Sequence, residues 1–247
     1  MASNEEDRAL IAARIAAVRE RMAAACARVG RSPDEVRLLL ATKTVPVERI
    51  RFAVEAGATL LGENRVQEAL GKYRGVPEAE WHFIGHLQTN KVRQVLEFAK
   101  VIHSVDRPSL VEALDARLQR QGREVDVLLQ VNTSYEASKF GVSPEGALEL
   151  ARLAARRETL RVRGLMTIGP LSDDLERVRR AYRLLRQLRD ELQPEIGELP
   201  ILSMGMSGDF ELAIEEGATL VRVGTSVFGP RGTLDSEYWP EGGPTPA

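Results

Sequence analysis

The feature that most restricts the fold is an alternation that runs through nearly the whole chain. Short aliphatic runs fall at about 36–43, 58–61, 81–84, 101–105, 125–132, 161–167, 199–203 and 220–223, with stretches of helical spacing between them. Apolar runs of this length, bounded by turn residues, read as strands buried on both faces. Strands separated by helices must run parallel, and eight parallel strands closing on themselves form a (β/α)8 TIM barrel. The length of 247 residues fits such a barrel. The alternative is an open doubly wound sheet. That fold normally carries a glycine-rich fingerprint after its first strand, and Lys43-Thr44-Val45-Pro46 has none.

Ahead of the first strand, Leu10, Ile11, Ile15, Val18, Met22 and Cys26 recur mostly every three or four residues. They predict an extra N-terminal amphipathic helix over about 6–29, stopped by Gly30. Ser32-Pro33-Asp34-Glu35 has capping-box spacing, with room for one turn only. Ser109, Ser143 and Ser172 are expected to cap the helices that follow them. Residues 1–229 read as one domain, and the Gly-, Pro- and acid-rich stretch 230–247 as a loosely ordered tail.

Composition matters mainly for what it excludes. A net charge of -2 leaves no nucleic-acid footprint. No apolar run approaches the roughly 18 residues of a membrane span, and the polar, acidic N-terminus is unlike a signal peptide. Cys26 is the only cysteine, so no intrachain disulfide forms, and a cytoplasmic location is expected. Three histidines without close ligand spacing argue against a metal site.

In a TIM barrel, function sits at the C-terminal ends of the strands. Read in order, those ends carry Lys43, Asn64, His86, Asp106, Asn132, Met166, Ser203 to Ser207, and Arg222 to Thr225. Lysine is scarce: Lys43, Lys72, Lys91, Lys100 and Lys139 stand against a background of arginine. Lys43 ends a buried strand, where desolvation lowers an amine's pKa and makes it a Schiff-base nucleophile; the plain alternative is a lysine reaching out to solvent. Met206-Ser207-Gly208-Asp209 turns into a helix with Ser207 at the expected cap, and Gly224-Thr225 follows the eighth strand. Loops after strands seven and eight, together with a helix N-terminus, form the usual phosphate site of barrels. Alternation along the last strand turns Arg222 inward, where it needs a partner: a carboxylate such as Glu63, or an aromatic nitrogen of a ligand. A lysine nucleophile, a phosphate cradle and an inward arginine together match a pyridoxal phosphate site.

Six ordered stretches sharpen this. They are Leu39–Pro46 (LLATKTVP), Gly62–Glu68 (GENRVQE), Trp81–Lys91 (WHFIGHLQTNK), Gly164–Ile168 (GLMTI), Ser203–Phe210 (SMGMSGDF) and Val221–Gly229 (VRVGTSVFG). Through them the chain resembles the pyridoxal phosphate homeostasis proteins (the YggS/PROSC family), whose barrel is similar to the N-terminal domain of alanine racemase. The resemblance covers nearly the whole chain. It implies pyridoxal 5'-phosphate held as an imine on Lys43, with Asn64, Met166, Met206, Ser207, Arg222, Gly224 and Thr225 lining its ring and phosphate. It implies a carrier or buffer of the cofactor in vitamin B6 homeostasis, not an enzyme. Expected partners are the cofactor, amino acids and pyridoxal-phosphate-dependent apo-enzymes, with no nucleic acid or membrane, and the protein is expected to be a monomer. One departure is Val45, where many relatives have a second lysine; it bears on lysine-to-lysine handover of the cofactor and not on the imine.

The competing reading is an amino-acid racemase, which needs an acid–base group on each face of the cofactor. In the racemases with a similar barrel, the second group is a tyrosine from an added C-terminal domain. The chain ends soon after its eighth strand, so that domain is expected to be missing. Among Tyr73, Tyr135, Tyr182 and Tyr238, only Tyr135, after the fifth strand, is a candidate. His82 and His103 fall within strands and are expected to fill the barrel.

Overall fold

The computed structural model describes residues 4–230. Within them eight parallel strands close in sequence order: β1 Arg37–Ala41, β2 Leu60–Glu63, β3 Glu80–Phe83, β4 Val101–Val105, β5 Val125–Gln130, β6 Leu160–Met166, β7 Ile201–Ser203 and β8 Leu220–Val223. Helices occupy the crossovers, α3 (Val66–Lys72) following β2, so the expected barrel is the observed one. Apart from Pro230, the tail 230–247 lies outside the described residues.

The extra helix α1 spans Asn4–Arg28 and buries Ile11, Ile15, Val18, Met22 and Cys26. Leu10 is 45% exposed, because it falls just off the stripe of the others. The helix packs on α2 (Val47–Glu55), α8 (Phe210–Glu215) and α9 (Thr225–Phe228), outside the seam where β8 meets β1. Arg14 Nη1 donates to the carbonyl of Val227, tying α1 to that last short helix. The capping box at Ser32 and Glu35 is formed, around one 3-10 turn.

Several boundaries move from their expected places for local reasons. β1 stops at Ala41, two residues short of Lys43, because the Val45 N–H turns back to the carbonyl of Thr42. β2 starts late, since the Ala58 N–H is used on Ala53 to close the end of α2. The helix after β3 is short, α4, Val92–Val95, because Glu97 and Phe98 donate to carbonyls only three residues back. α5 (Pro108–Gln119) begins at its proline, which leaves Ser109 inside the helix instead of at the cap. At α7 (Leu175–Ile196) the cap is Asp174, whose carboxylate takes the N–H groups of Glu176 and Arg177. Ser172 instead accepts the Asp174 N–H. Ser143 does cap, accepting from Gly146 ahead of α6 (Ala147–Ala155).

Period-2 alternation sorts the side chains. Leu40, Leu61, Ile102, Leu129, Leu165, Leu202, Val221 and Val223 face the helix layer. Inward lie two small apolar groups, Leu39–Leu60–Leu220 and Val101–Leu128–Met166, with Ile201 touching both. Between them the barrel is filled by polar side chains: His82, His103, Ser203 and Arg222 are all buried. The interior is also tight. A Cβ at Gly164, whose φ is 154°, would lie 1.8 Å from the Ile201 carbonyl oxygen on the neighbouring strand.

Candidate functional site

The C-terminal ends of the strands surround a cavity of about 1300 Å³. Its wall includes Lys43, Asn64, Met206, Ser207, Arg222, Gly224 and Thr225. Seven of the eight residues expected at a ligand site are thus brought together there. The exception is Met166, which is fully buried in the Val101–Leu128 cluster; two residues on, Ile168 takes the wall position.

Lys43 owes its place to a constrained loop. Thr44, a β-branched residue, has φ 61°, a conformation that costs about 1–3 kcal/mol. The loop is held from several sides. The Thr44 N–H donates to Glu68 Oε2 at 3.0 Å, and its hydroxyl to the Lys43 carbonyl at 2.6 Å. Below, Lys72 Nζ donates to the Thr42 carbonyl at 2.8 Å and to Glu63 Oε1 at 2.7 Å. Thr42 Oγ1 donates to the same carboxylate oxygen at 2.7 Å. Glu63 is fully buried, and burial pushes its carboxyl up while the Lys72 ammonium opposes that. The buried salt bridge therefore belongs to Glu63 and Lys72, not to Glu63 and Arg222.

Arg222 is nearly fully buried, and among the described residues it makes no ion pair. Nη1 donates to the Ser203 carbonyl at 2.7 Å and to Ser203 Oγ at 2.6 Å; Nη2 donates to the Thr167 carbonyl at 2.8 Å. Burial lowers its pKa to about 10, so it is still a cation at neutral pH. Three of the five N–H groups of a guanidinium are spent on these acceptors, and the rest are available toward the cavity it lines.

The two turns singled out in the sequence do meet, though not through the expected cap. Asp209 occupies the N-cap position of α8. Ser207 Oγ reaches across instead and accepts the N–H groups of Gly224 at 3.2 Å and Ser226 at 3.4 Å, at the start of α9. Asp209 ties the turn down. Its carboxylate accepts the Met206 N–H at 2.6 Å and the hydroxyl of the buried Tyr182 at 2.8 Å. Asn64 also lines the cavity, and its Oδ1 is buried without a hydrogen-bond partner. Such an atom costs free energy unless a ligand or water meets it. The β3 loop can pass over Asn64 only at a glycine, since a Cβ on Gly85 would sit 2.1 Å from the Asn64 carbonyl oxygen. These groups fit an anionic, carbonyl-bearing aromatic ligand: an amine, a cation with spare donors, a pair of tied turns and an unsatisfied amide.

The far wall was less legible. His86 stacks on Phe140 with ring centroids 3.8 Å apart, and Lys91 and Lys139 stand in the same wall. The scarcity of lysine was a signal for Lys139; nothing local marks Phe140, which arrives from the loop after β5. Asp106 and Asn132 do not line the cavity. Asp106 pairs with Arg107 at 2.6 Å, and Asn132 donates to the carbonyl of Glu136 at 2.9 Å. Tyr135 is 64% exposed and donates to Glu145 at 3.0 Å, away from the cavity wall.

The family model "Alanine racemase, N-terminal domain" matches residues 14–232. The pyridoxal phosphate homeostasis protein of Aquifex aeolicus is 48% identical over 221 residues, which span 88% of this chain and 97% of that protein. The protein of the same name from Escherichia coli K12 is 40% identical over 226 residues, 90% and 97% of the two. Among solved structures, PipY of Synechococcus elongatus PCC7942 with PLP bound superposes with a TM-score of 0.79 at 36% identity, covering 89% of this chain and all of PipY, 100%. Alanine racemase from Corynebacterium glutamicum, at 14% identity and a TM-score of 0.73, shares the fold over 91% of this chain and 62% of its own.

The Lys72–Glu63 pair yields a stability prediction. Lys72→Met leaves a buried carboxylate without its counter-ion and should destabilise by about 3–5 kcal/mol, read from urea unfolding. Adding Glu63→Gln should restore part of that loss, because no uncompensated charge then remains.

Proposed function

The chain belongs to the pyridoxal phosphate homeostasis protein family, and from that premise we propose that it binds pyridoxal 5'-phosphate and carries or buffers it in the cytoplasm. The observation that carries this reading is the convergence of Lys43, Arg222 and the Ser207–Gly224 turns in one cavity. When bound, the cofactor supplies an electrophilic aldehyde, and the chain's own residues capture and shield it. Lys43 would hold the cofactor at its aldehyde end through its side-chain amine. Arg222 would face the ring nitrogen as a donor, and the tied turns with Thr225 would hold the phosphate. Asn64 offers its unsatisfied oxygen to a donor on the ligand, and Met206 covers one side. Met166 acts only from beneath, through the packing under the cavity floor.

Two features favour carriage over turnover. An arginine that donates to the ring nitrogen leaves that nitrogen unprotonated, which weakens the electron sink. Among the described residues, no tyrosine lines the cavity to serve as a second acid–base group. The cavity exceeds the ~300–1000 Å³ of ordinary small-molecule pockets. It therefore leaves space beside the cofactor for an incoming amine, as delivery to an apo-enzyme or exchange with an amino acid requires.

Borohydride treatment of the coloured, loaded protein should bleach its visible band and fix the adduct on the peptide containing Lys43, located by mass spectrometry. Labelling chiefly on Lys72, Lys91, Lys100 or Lys139 would sink the assignment. Pyridoxal lacking the phosphate should bind at least tenfold more weakly, since each charge-assisted bond to an anion contributes about 1.5–3 kcal/mol. Equal affinity for the two vitamers would refute the phosphate pocket. Incubated with single-enantiomer amino acids, the loaded protein should racemise, decarboxylate or transaminate no faster than free cofactor, because a positioned acid–base group is worth about 10²–10⁴-fold. A far higher rate that disappears in Lys43→Ala would overturn the carrier reading.

A further inference from the structure

Behind Arg222, four more side chains continue in single file through the barrel interior. Ser203 Oγ, which accepts from Arg222 Nη1 at 2.6 Å, lies 3.0 Å from His103 Nδ1. His103 Nε2 lies 2.8 Å from His82 Nδ1, and His82 Nε2 lies 2.8 Å from Glu80 Oε1. Both imidazoles are fully buried, whereas Glu80 stands 42% exposed at the start of β3, the opposite end of the barrel from the cavity. Glu80 is also paired with Arg37 at 3.0 Å.

The two ends fix the direction of every bond between them. A guanidinium can only donate, and a carboxylate can only accept. Glu80 is ionised at neutral pH, because the bond from His82, followed by Arg37, holds its carboxyl down to about 2. Burial depresses both histidines, so each is neutral with one N–H to give. One arrangement satisfies all of this. His82 Nε2–H donates to Glu80, and His103 Nε2–H donates to His82 Nδ1. Ser203 O–H donates to His103 Nδ1, and Ser203 Oγ accepts from Arg222. Every nitrogen of the two imidazoles, and the Ser203 hydroxyl, then has a partner, as buried polar groups require. The reverse polarity would need a protonated Glu80 beside Arg37. The chain therefore cannot relay protons in both directions; it is a directional brace.

We propose that Ser203, His103, His82 and Glu80 are positioning residues that fix the guanidinium of Arg222 at the floor of the cavity and thereby set its contact with the cofactor ring. The second half of this rests on the cofactor reading above, and the first half does not, so the two are tested separately. In the cofactor-free protein, long-range nitrogen–proton NMR should find both buried histidines neutral and in the Nε2–H tautomer. The Arg222 Nη protons should be resolved and slowly exchanging in wild type and in Ser203→Thr, and should broaden and exchange faster in Ser203→Ala, where only the two carbonyl bonds remain. In the loaded protein, Ser203→Ala should displace the visible band and release the cofactor about tenfold faster, the loss expected for one bond to a charged group. Ser203→Thr should restore both. Glu80→Ala, on the exposed end and remote from the cavity, should displace the band in the same direction by less. An Nδ1–H tautomer or a charged ring at either histidine would overturn the directional chain. A Ser203→Ala protein with sharp Nη protons and an unmoved band would reduce the file to barrel filling. Failure of wild type to take up cofactor would instead count against the function proposed above, with the NMR measurements still deciding the brace.

Discussion

The site depends on one seam. β8 pairs with β1 from Arg37–Leu220 to Leu40–Val223, and that register sets Leu39 beside Arg222. Closure at this seam brings residues from the two ends of the chain, Lys43 and Arg222–Gly224, into one cavity wall. Parallel pairing between the first and last strands has the largest loop-closure cost in the molecule. α1 offsets it by packing outside the seam on α2, α8 and α9. The extra N-terminal helix is thus part of the support of the site and not an ornament on the barrel.

Around the seam the protein solves two charge problems differently. Glu63, fully buried, is met by a lysine and a threonine hydroxyl, and the same lysine holds the Thr42 carbonyl next to Lys43. Arg222 has no counter-ion among the described residues and is met by carbonyl and hydroxyl dipoles. A direct carboxylate partner would neutralise the guanidinium and tie up the donors that face the cavity. Dipoles satisfy its protein side and leave the charge to act on a ligand. The cost of burying a cation this way is visible in its lowered pKa.

The cavity wall divides along the same lines. The side built from β1, β2, β7 and β8 is made of short, tied turns with fixed backbone. On the far side, Phe140 and Lys139 come from the longer loop after β5, and His86, stacked on Phe140, from the loop after β3.

What the sequence determined by itself was the architecture and the identity of the near wall. Alternating aliphatic runs leave parallel strands with intervening helices as the solution that buries them, and strand periodicity alone turned Arg222 inward and Val221 and Val223 outward. Lys43, Ser207 and Gly224 were legible because each follows its strand directly. Tertiary structure decided everything that depends on distance between strands. It gave Glu63 to Lys72 instead of Arg222, moved Met166 beneath the cavity, and replaced the Ser207 helix cap by a bridge to Gly224. It also joined His82 and His103, two barrel-filling residues by sequence, into one file leading to Arg222. Local spacing fixes which face a side chain takes; which side chain it meets across the barrel depends on the stagger between strands, and no single stretch of sequence encodes that.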